Sequence, residues 1–176
     1  MRKFFSIVLT IFTIFVLVLL NKNNQTSNDE YLRFHVRANS NASFDQYVKY
    51  DVKDKIILLI EPFMKNFESF DEAYEFLQKS RGLIEAYANN LLEKHNCDYG
   101  AKVEIRKEYF DEKEGNGFVL REGLYNSMIV SLGEEKGNNW WCLVYPSLSF
   151  VPNSSDVDYA NISYKSKIVE IYNTIK

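Results

Sequence analysis

The chain is poor in the residues that most often carry chemistry. Its 176 residues include two histidines, His35 and His95, and two cysteines, Cys97 and Cys142. Two scattered histidines and two cysteines do not make a four-ligand zinc site of the usual kind, and two cysteines allow at most one disulfide. Basic charge is not in excess. With 21 Lys and Arg against 24 Asp and Glu, the net charge of −3 argues against a partner whose phosphates must be neutralised, so no nucleic acid is expected. There is no G-x-S-x-G elbow, no H-E-x-x-H helix and no Gly-Lys-Ser/Thr phosphate loop. The acidic stretch Asp111–Gly117 lacks the ligand spacing of a calcium loop and reads as a solvated loop; Glu134-Glu135 also falls in loop sequence. No cofactor, metal or small-molecule substrate is expected, and no internal repeat is visible.

What the chain has begins at its start. Arg2 and Lys3 precede an apolar run from Phe4 to Leu20, interrupted only by Ser6, Thr10 and Thr13. A positive flank before such a run directs export and stays inside. At about 1.5 Å per residue the run spans roughly 25 Å, just short of a hydrocarbon core. Residues 1–20 are therefore either a signal peptide or a short signal anchor. The sequence Val18 to Lys22 lacks the small residues of a cleavage site, which favours an anchor in the membrane through residues 4–20. Residues 21–30 are polar and form a linker.

The domain that follows, residues 31–151, changes period several times. Tyr31–Ala38 alternates, with Leu32, Phe34, Val36 and Ala38 on one side and Arg33, His35 and Arg37 on an outer face: a half-buried strand. Asn39–Ser43 is a turn rich in capping residues. Val48, Val52, Ile56, Leu59 and Phe63 then fall at helical spacing until Pro62 ends or kinks the helix. Ser69 and Glu72 form a capping box for a second helix with an inner stripe of Ala73, Leu77, Ile84, Ala88 and Leu91, ending near His95. Three strands follow, at Lys102–Tyr109, Tyr125–Leu132 and Asn139–Tyr145, the last two joined by a hairpin loop Gly133–Asn138. Residues 152–176 are a polar segment and a C-terminal amphipathic helix, Ser163–Ile175. The expected class is α+β: a mostly antiparallel four-stranded sheet with a helix pair on one face, in the order β-α-α-β-β-β-α, preceded by the apolar N-terminal helix.

The stretch 133–150 is the most unusual in composition. Both tryptophans, Trp140 and Trp141, stand together, followed by Cys142 and a strand that Pro146 stops. Neighbours on a strand point to opposite faces, so one indole fills the core and the other needs a cover, which is the domain itself or a partner. Cys142 reads as a buried, inert thiol. The candidate partner-contact surface is the loop with Gly133, Gly137, Asn139, Trp140 and Trp141, with Arg33, His35 and Arg37 as a second patch.

Those residues also carry a resemblance. Gly133, Gly137, Asn139, Trp140, Trp141, Cys142 and Pro146 are similar to the signature of the stage II sporulation protein R family. Phe118, Leu120, Gly123 and Tyr125 resemble its F-x-L-x-x-G-x-Y approach. Ala38-Asn39-Ser40, Asp45-Gln46 and Val52-Lys53-Asp54 resemble its A-N-S, D-Q and V-[RK]-D elements. The resemblance runs from about Leu32 to Phe150. It departs at Pro146-Ser147-Leu148-Ser149, where the family reads P-P-L-C, and at Asp111, where a proline is expected. The family resemblance implies a forespore signalling protein, not an enzyme. It is exported toward the intermembrane space of the sporangium, where it activates a membrane-embedded aspartic protease of the mother cell that processes a pro-sigma factor. The alternatives are an exported cell-envelope hydrolase, which would need His35 or His95 beside a nucleophile or carboxylate in a cleft, and a surface adhesion or scaffold module.

Overall fold

The computed structural model describes residues 30–115, 118–146 and 162–175. The apolar segment 1–20 and the linker up to residue 29 lie outside the described residues, as does most of the polar segment that opens residues 152–176. Among the described residues no helix is long and apolar enough to cross a membrane.

Strand β1 (Leu32–Arg37) leads through a turn into helix α1 (Ser43–Met64), then α2 (Phe70–Lys94). Strand β2 (Ala101–Phe110), a small hairpin of β3 (Lys113–Gly115) and β4 (Phe118–Leu120), strand β5 (Gly123–Leu132), strand β6 (Trp140–Tyr145) and helix α3 (Ile162–Ile175) complete the order. The α+β class holds. The loop expected at 111–117 instead contributes β3 to a two-stranded sheet.

The main sheet runs β2-β5-β1-β6. Its outer pairs, β2 with β5 and β1 with β6, are antiparallel, but the central pair, β1 with β5, is parallel. The sheet is therefore mixed. Residues 133–139 are not a hairpin loop, because β5 and β6 do not pair; the segment crosses the end of β1, which lies between them. The burial explains the order. All of β5 from Tyr125 to Leu132 is buried, and so are five of the six residues of β1. Strands covered on both faces occupy the middle of a sheet. Arg33 and His35 suggest a solvated face on β1, yet both are buried.

The helices cover the face carrying Leu32, Phe34, Val36, Met128 and Val130. In α1 the stripe Val48, Val52, Ile56 and Leu59 is buried as its spacing predicts, and the helix ends two residues after Pro62. Ser69 caps α2 by accepting from the Glu72 N–H at 3.3 Å, and the inner stripe is again the predicted one. Helix α3 places Ile168 in the core and Tyr172 against Phe63 and Phe67, at ring distances of 5.2 and 5.4 Å.

A row of α2 side chains also lines the outer edge of β2. Asn89 donates to the Ala101 carbonyl and accepts from its N–H at 3.0 and 2.9 Å, and Glu85 accepts from the Val103 N–H at 2.8 Å. Arg81 donates to the Val103 carbonyl at 3.3 Å and Gln78 to that of Ile105 at 3.5 Å. Side chains thus take the place of a neighbouring strand along half of this edge.

The registers divide the molecule into two ends. At one end lie Tyr31, where the preceding chain enters, with Phe110, Gly123 and Tyr145. At the other lie the turn after Arg37, the start of α1, the segment before Ala101, and the crossing loop from Gly133 to Trp140.

Candidate functional site

The far end is where sequence motifs separated by almost the whole domain become one structure. The β1–α1 turn and the crossing loop are stitched along their backbones. Gly137 N–H donates to the Ala38 carbonyl at 3.0 Å, and Lys136 N–H to that of Asn39 at 3.1 Å. The Asn39 side-chain oxygen accepts from Glu134 N–H at 2.9 Å, and Asn41 does the same for Asn138 at 2.7 Å. Gly133 N–H donates to the Gly100 carbonyl at 2.9 Å, which adds the α2–β2 connection.

Both loop glycines are required by this contact. Gly133 has φ of +57°, and a Cβ there would also collide with the Asn39 amide. A Cβ on Gly137 would run into the Ser40 carbonyl, which is backbone and cannot swing aside. These glycines therefore serve close approach of two chain segments rather than a hairpin.

Beneath the stitch lies a polar core. The Asp45 carboxylate accepts from Ser40 Oγ at 2.6 Å, Tyr99 Oη at 2.7 Å and Asn39 Nδ2 at 2.9 Å. Burial opposes its ionisation, but the bonds from Ser40, Tyr99 and Asn39 outweigh burial and hold the carboxyl below its ordinary value. Gln46 donates to the Ser40 carbonyl at 2.8 Å and accepts from Lys49 Nζ at 2.7 Å. Lys49, almost fully buried, also donates to the Asn138 carbonyl at 3.0 Å. Burial, aided by the nearby Lys53, lowers its pKa. None of the capping residues of the turn caps α1 by its side chain; they are used in this network instead.

The two indoles divide as alternation requires. Trp140, half-buried, meets Phe34 edge-on at 5.8 Å on the helix side, with Lys53 Nζ 4.8 Å above its ring. Trp141, also half-buried, lies on the other face over Arg33. The Arg33 guanidinium is fully buried among Phe110, Trp141 and Tyr125, at 3.8, 4.3 and 4.8 Å from their ring centres. Among the described residues its three nitrogens have no hydrogen-bond acceptor. Burial lowers its pKa to about 10. Next to it His35 Nδ1 lies 2.8 Å from Glu108, whose other oxygen pairs with Arg37; Arg37 also reaches Glu135 at 2.6 Å. Burial lowers the His35 pKa despite the Glu108 bond.

The structure therefore brings together Gly133, Gly137, Asn39, Ser40, Asp45 and Gln46, and sets Arg33, His35 and Arg37 into a separate cluster. Arg33 and His35 are not surface groups, and of this patch only Arg37 is part-exposed. Asn139 is exposed. Asp54 is half-exposed and pairs with Lys53. Leu120 and Tyr125 are buried, Gly123 opens β5 opposite Phe110, and Pro146 follows a cis peptide bond; the Phe118 side chain lies outside the described residues. Cys97 and Cys142 are both free, and burial pushes the Cys142 thiol up to about 12. Sequence reasoning did not anticipate Lys49 and Tyr99 as members of the polar core. Lys49 falls off the apolar stripe of α1, so its spacing gave no signal of burial.

His95 Nε2 lies 2.9 Å from Asp51, so each histidine has a carboxylate, but among the described residues neither is bonded to a Ser, Thr or Cys. A depression of about 360 Å³ lies at the opposite end, lined by Glu30, Tyr31, Glu68, Ser69, Phe70, Tyr145 and Pro146. Its one hydroxyl nucleophile candidate, Ser69, is occupied as the cap of α2.

A model of the stage II sporulation protein R family matches residues 28–155. A curated relative, stage II sporulation protein R of Bacillus subtilis (strain 168), is 29% identical over 127 residues, 72% of this chain and 57% of that protein. The chain thus spans little more than half the length of that relative. No solved structure matches. The motif residues that the fold gathers at its far end fall inside the matched region, and the chain belongs to the stage II sporulation protein R family.

Proposed function

We propose that this chain is an exported sporulation signal that works by binding: made in the forespore and moved across or anchored in its membrane by residues 4–20, it activates a membrane-embedded aspartic protease of the mother cell, which then processes a pro-sigma factor. The observation that carries this reading is the family membership together with what the family's motif residues do in the fold. Of those residues, Ala38, Asn39, Gly133 and Gly137 stitch the β1–α1 turn to the crossing loop and its neighbours and so tie one end of the domain together. A ligand activates a receptor only by binding its active state better than its inactive state, and a rigid presenting surface keeps that difference from being spent on ordering loops.

The test is complementation. In cells of the chain's own host that lack the chromosomal copy, the full chain is expected to restore pro-sigma processing, with the size of the accumulated chain reporting whether residues 1–20 are removed. A chain that accumulates outside the forespore membrane yet leaves the pro-sigma factor unprocessed contradicts the reading.

A further inference from the structure

The first half of α1 carries an uncovered aromatic stripe. Phe44, Tyr47 and Tyr50 are 50, 61 and 47% exposed. At intervals of three they stand beside one another on the helix. The stripe continues beyond α1 in two directions. The Tyr47 ring meets His95 edge-on at 5.6 Å, and Lys53 Nζ bridges Tyr50 and Trp140, 5.6 and 4.8 Å from their ring centres. Half-buried Trp140 thereby joins Phe44, Tyr47 and Tyr50 in one surface at the far end of the molecule.

The basic side chains of this surface are already engaged within the domain. Lys49 is held by Gln46 and the Asn138 carbonyl, Lys53 by Asp54, and His95 by Asp51. What is left to offer is aromatic area and tyrosine hydroxyls, the composition of an interface anchor rather than of a charged steering patch.

The position of the stripe selects its occupant. The chain before the domain enters at Tyr31, at the opposite end of β1. Ten residues separate the apolar run from Tyr31, a reach of at most about 36 Å, and α1, with its 22 residues, is itself about 33 Å long. A domain tethered through Tyr31, as the proposed function has it, has its far end free to point away from its own membrane.

We infer that Phe44, Tyr47, Tyr50 and Trp140 form the docking surface for a membrane-held protein presented opposite the tether, and that the surface enters an uncharged, apolar groove offering acceptors to the tyrosine hydroxyls. The inference rests on the proposed function and names the contact face for that receptor protease.

The experiment uses the full chain in its own host lacking the chromosomal copy. A Phe44→Ser/Tyr47→Ser/Tyr50→Ser variant is compared with wild type and with Tyr109→Ser/Leu124→Ser, whose targets are as exposed but lie toward the other end. In parallel, Tyr47 is replaced by the photocrosslinker p-benzoylphenylalanine in an otherwise wild-type chain. The expected result is at least a tenfold fall in pro-sigma processing for the stripe variant, normal processing for the control pair, and a crosslink from position 47 to the aspartic protease. Full processing by the stripe variant overturns the docking surface and leaves the signalling role intact. Equal loss in both variants, or a position-47 crosslink to lipid or to a second copy of the chain, also overturns it. Failure of the wild-type chain to restore processing overturns the signalling role, and the docking surface with it.

Discussion

Asp45 and Arg33 show two ways of burying a charge, and they predict opposite responses to substitution. Asp45 is an ion with three side-chain donors aimed at it. Replacing it by Asn leaves donors facing a donor and costs about 2–3 kcal/mol by chemical denaturation. Because its folded pKa is lowered, its contribution is present in full above the ordinary carboxylate value near 4 and is lost as pH falls from there through the folded value. Asp45→Asn should thus be less stable at neutral pH and lose less on acidification; parallel acid melts of the two proteins check this. Arg33 has rings around it but no acceptor among the described residues. Its apolar isostere removes a desolvated charge and keeps the volume, so Arg33→Met is expected to match or exceed wild-type stability. A drop of more than about 2 kcal/mol would show that the cation–ring contacts outweigh the desolvation. Neither environment was legible in the sequence. Arg33, His35 and Arg37 alternate with apolar residues as a solvated face would, and only the position of β1 between two other strands buries the first two.

Among the elements, the helices could be read from the sequence and the strand order could not. The stripes of α1 and α2 follow from spacing alone, as does the capping box at Ser69, because a helix satisfies its backbone locally. Strand pairing is settled by partners elsewhere in the chain. Two apolar strands separated by a short glycine loop look like a hairpin whether or not a third strand lies between them. The glycines at 133 and 137 were visible as turn signals, but their real constraint, contact with Asn39 and Ser40, lies 95 residues away for the Asn39–Glu134 bond. The guarded edge of β2 was invisible for the same reason, since Asn89, Glu85, Arg81 and Gln78 lie outside the apolar stripe of α2. That edge makes its own prediction. Asn89→Ala with Glu85→Ala leaves the Ala101 N–H and carbonyl and the Val103 N–H without their side-chain partners. The variant should lose about 1–3 kcal/mol and self-associate at concentrations where wild type stays dispersed, as light scattering would report.

For the whole molecule, the α+β class and the family were available from the sequence, while the β3–β4 hairpin, the mixed sheet and the division into two ends came only with the fold. Helix α3 lies beyond the family match, which ends at residue 155, yet it inserts Ile168 into the core and packs Tyr172 on Phe63 and Phe67. Ending the chain before Ile162 should therefore lower stability by about 2–4 kcal/mol, the cost of uncovering one buried aliphatic and part of an aromatic side chain. An unchanged denaturation midpoint would mean that α3 is an appendage.

The place of β1 between β5 and β6 has a consequence for how the protein is born. Its first strand can pair only with β5 and β6, which emerge after both α1 and α2 and after β2. Such distant pairing makes folding slow and late. For a chain exported as proposed, that delay is an advantage: with its central strand waiting for partners, the domain stays extended until nearly all of it has crossed the membrane and closes on the far side.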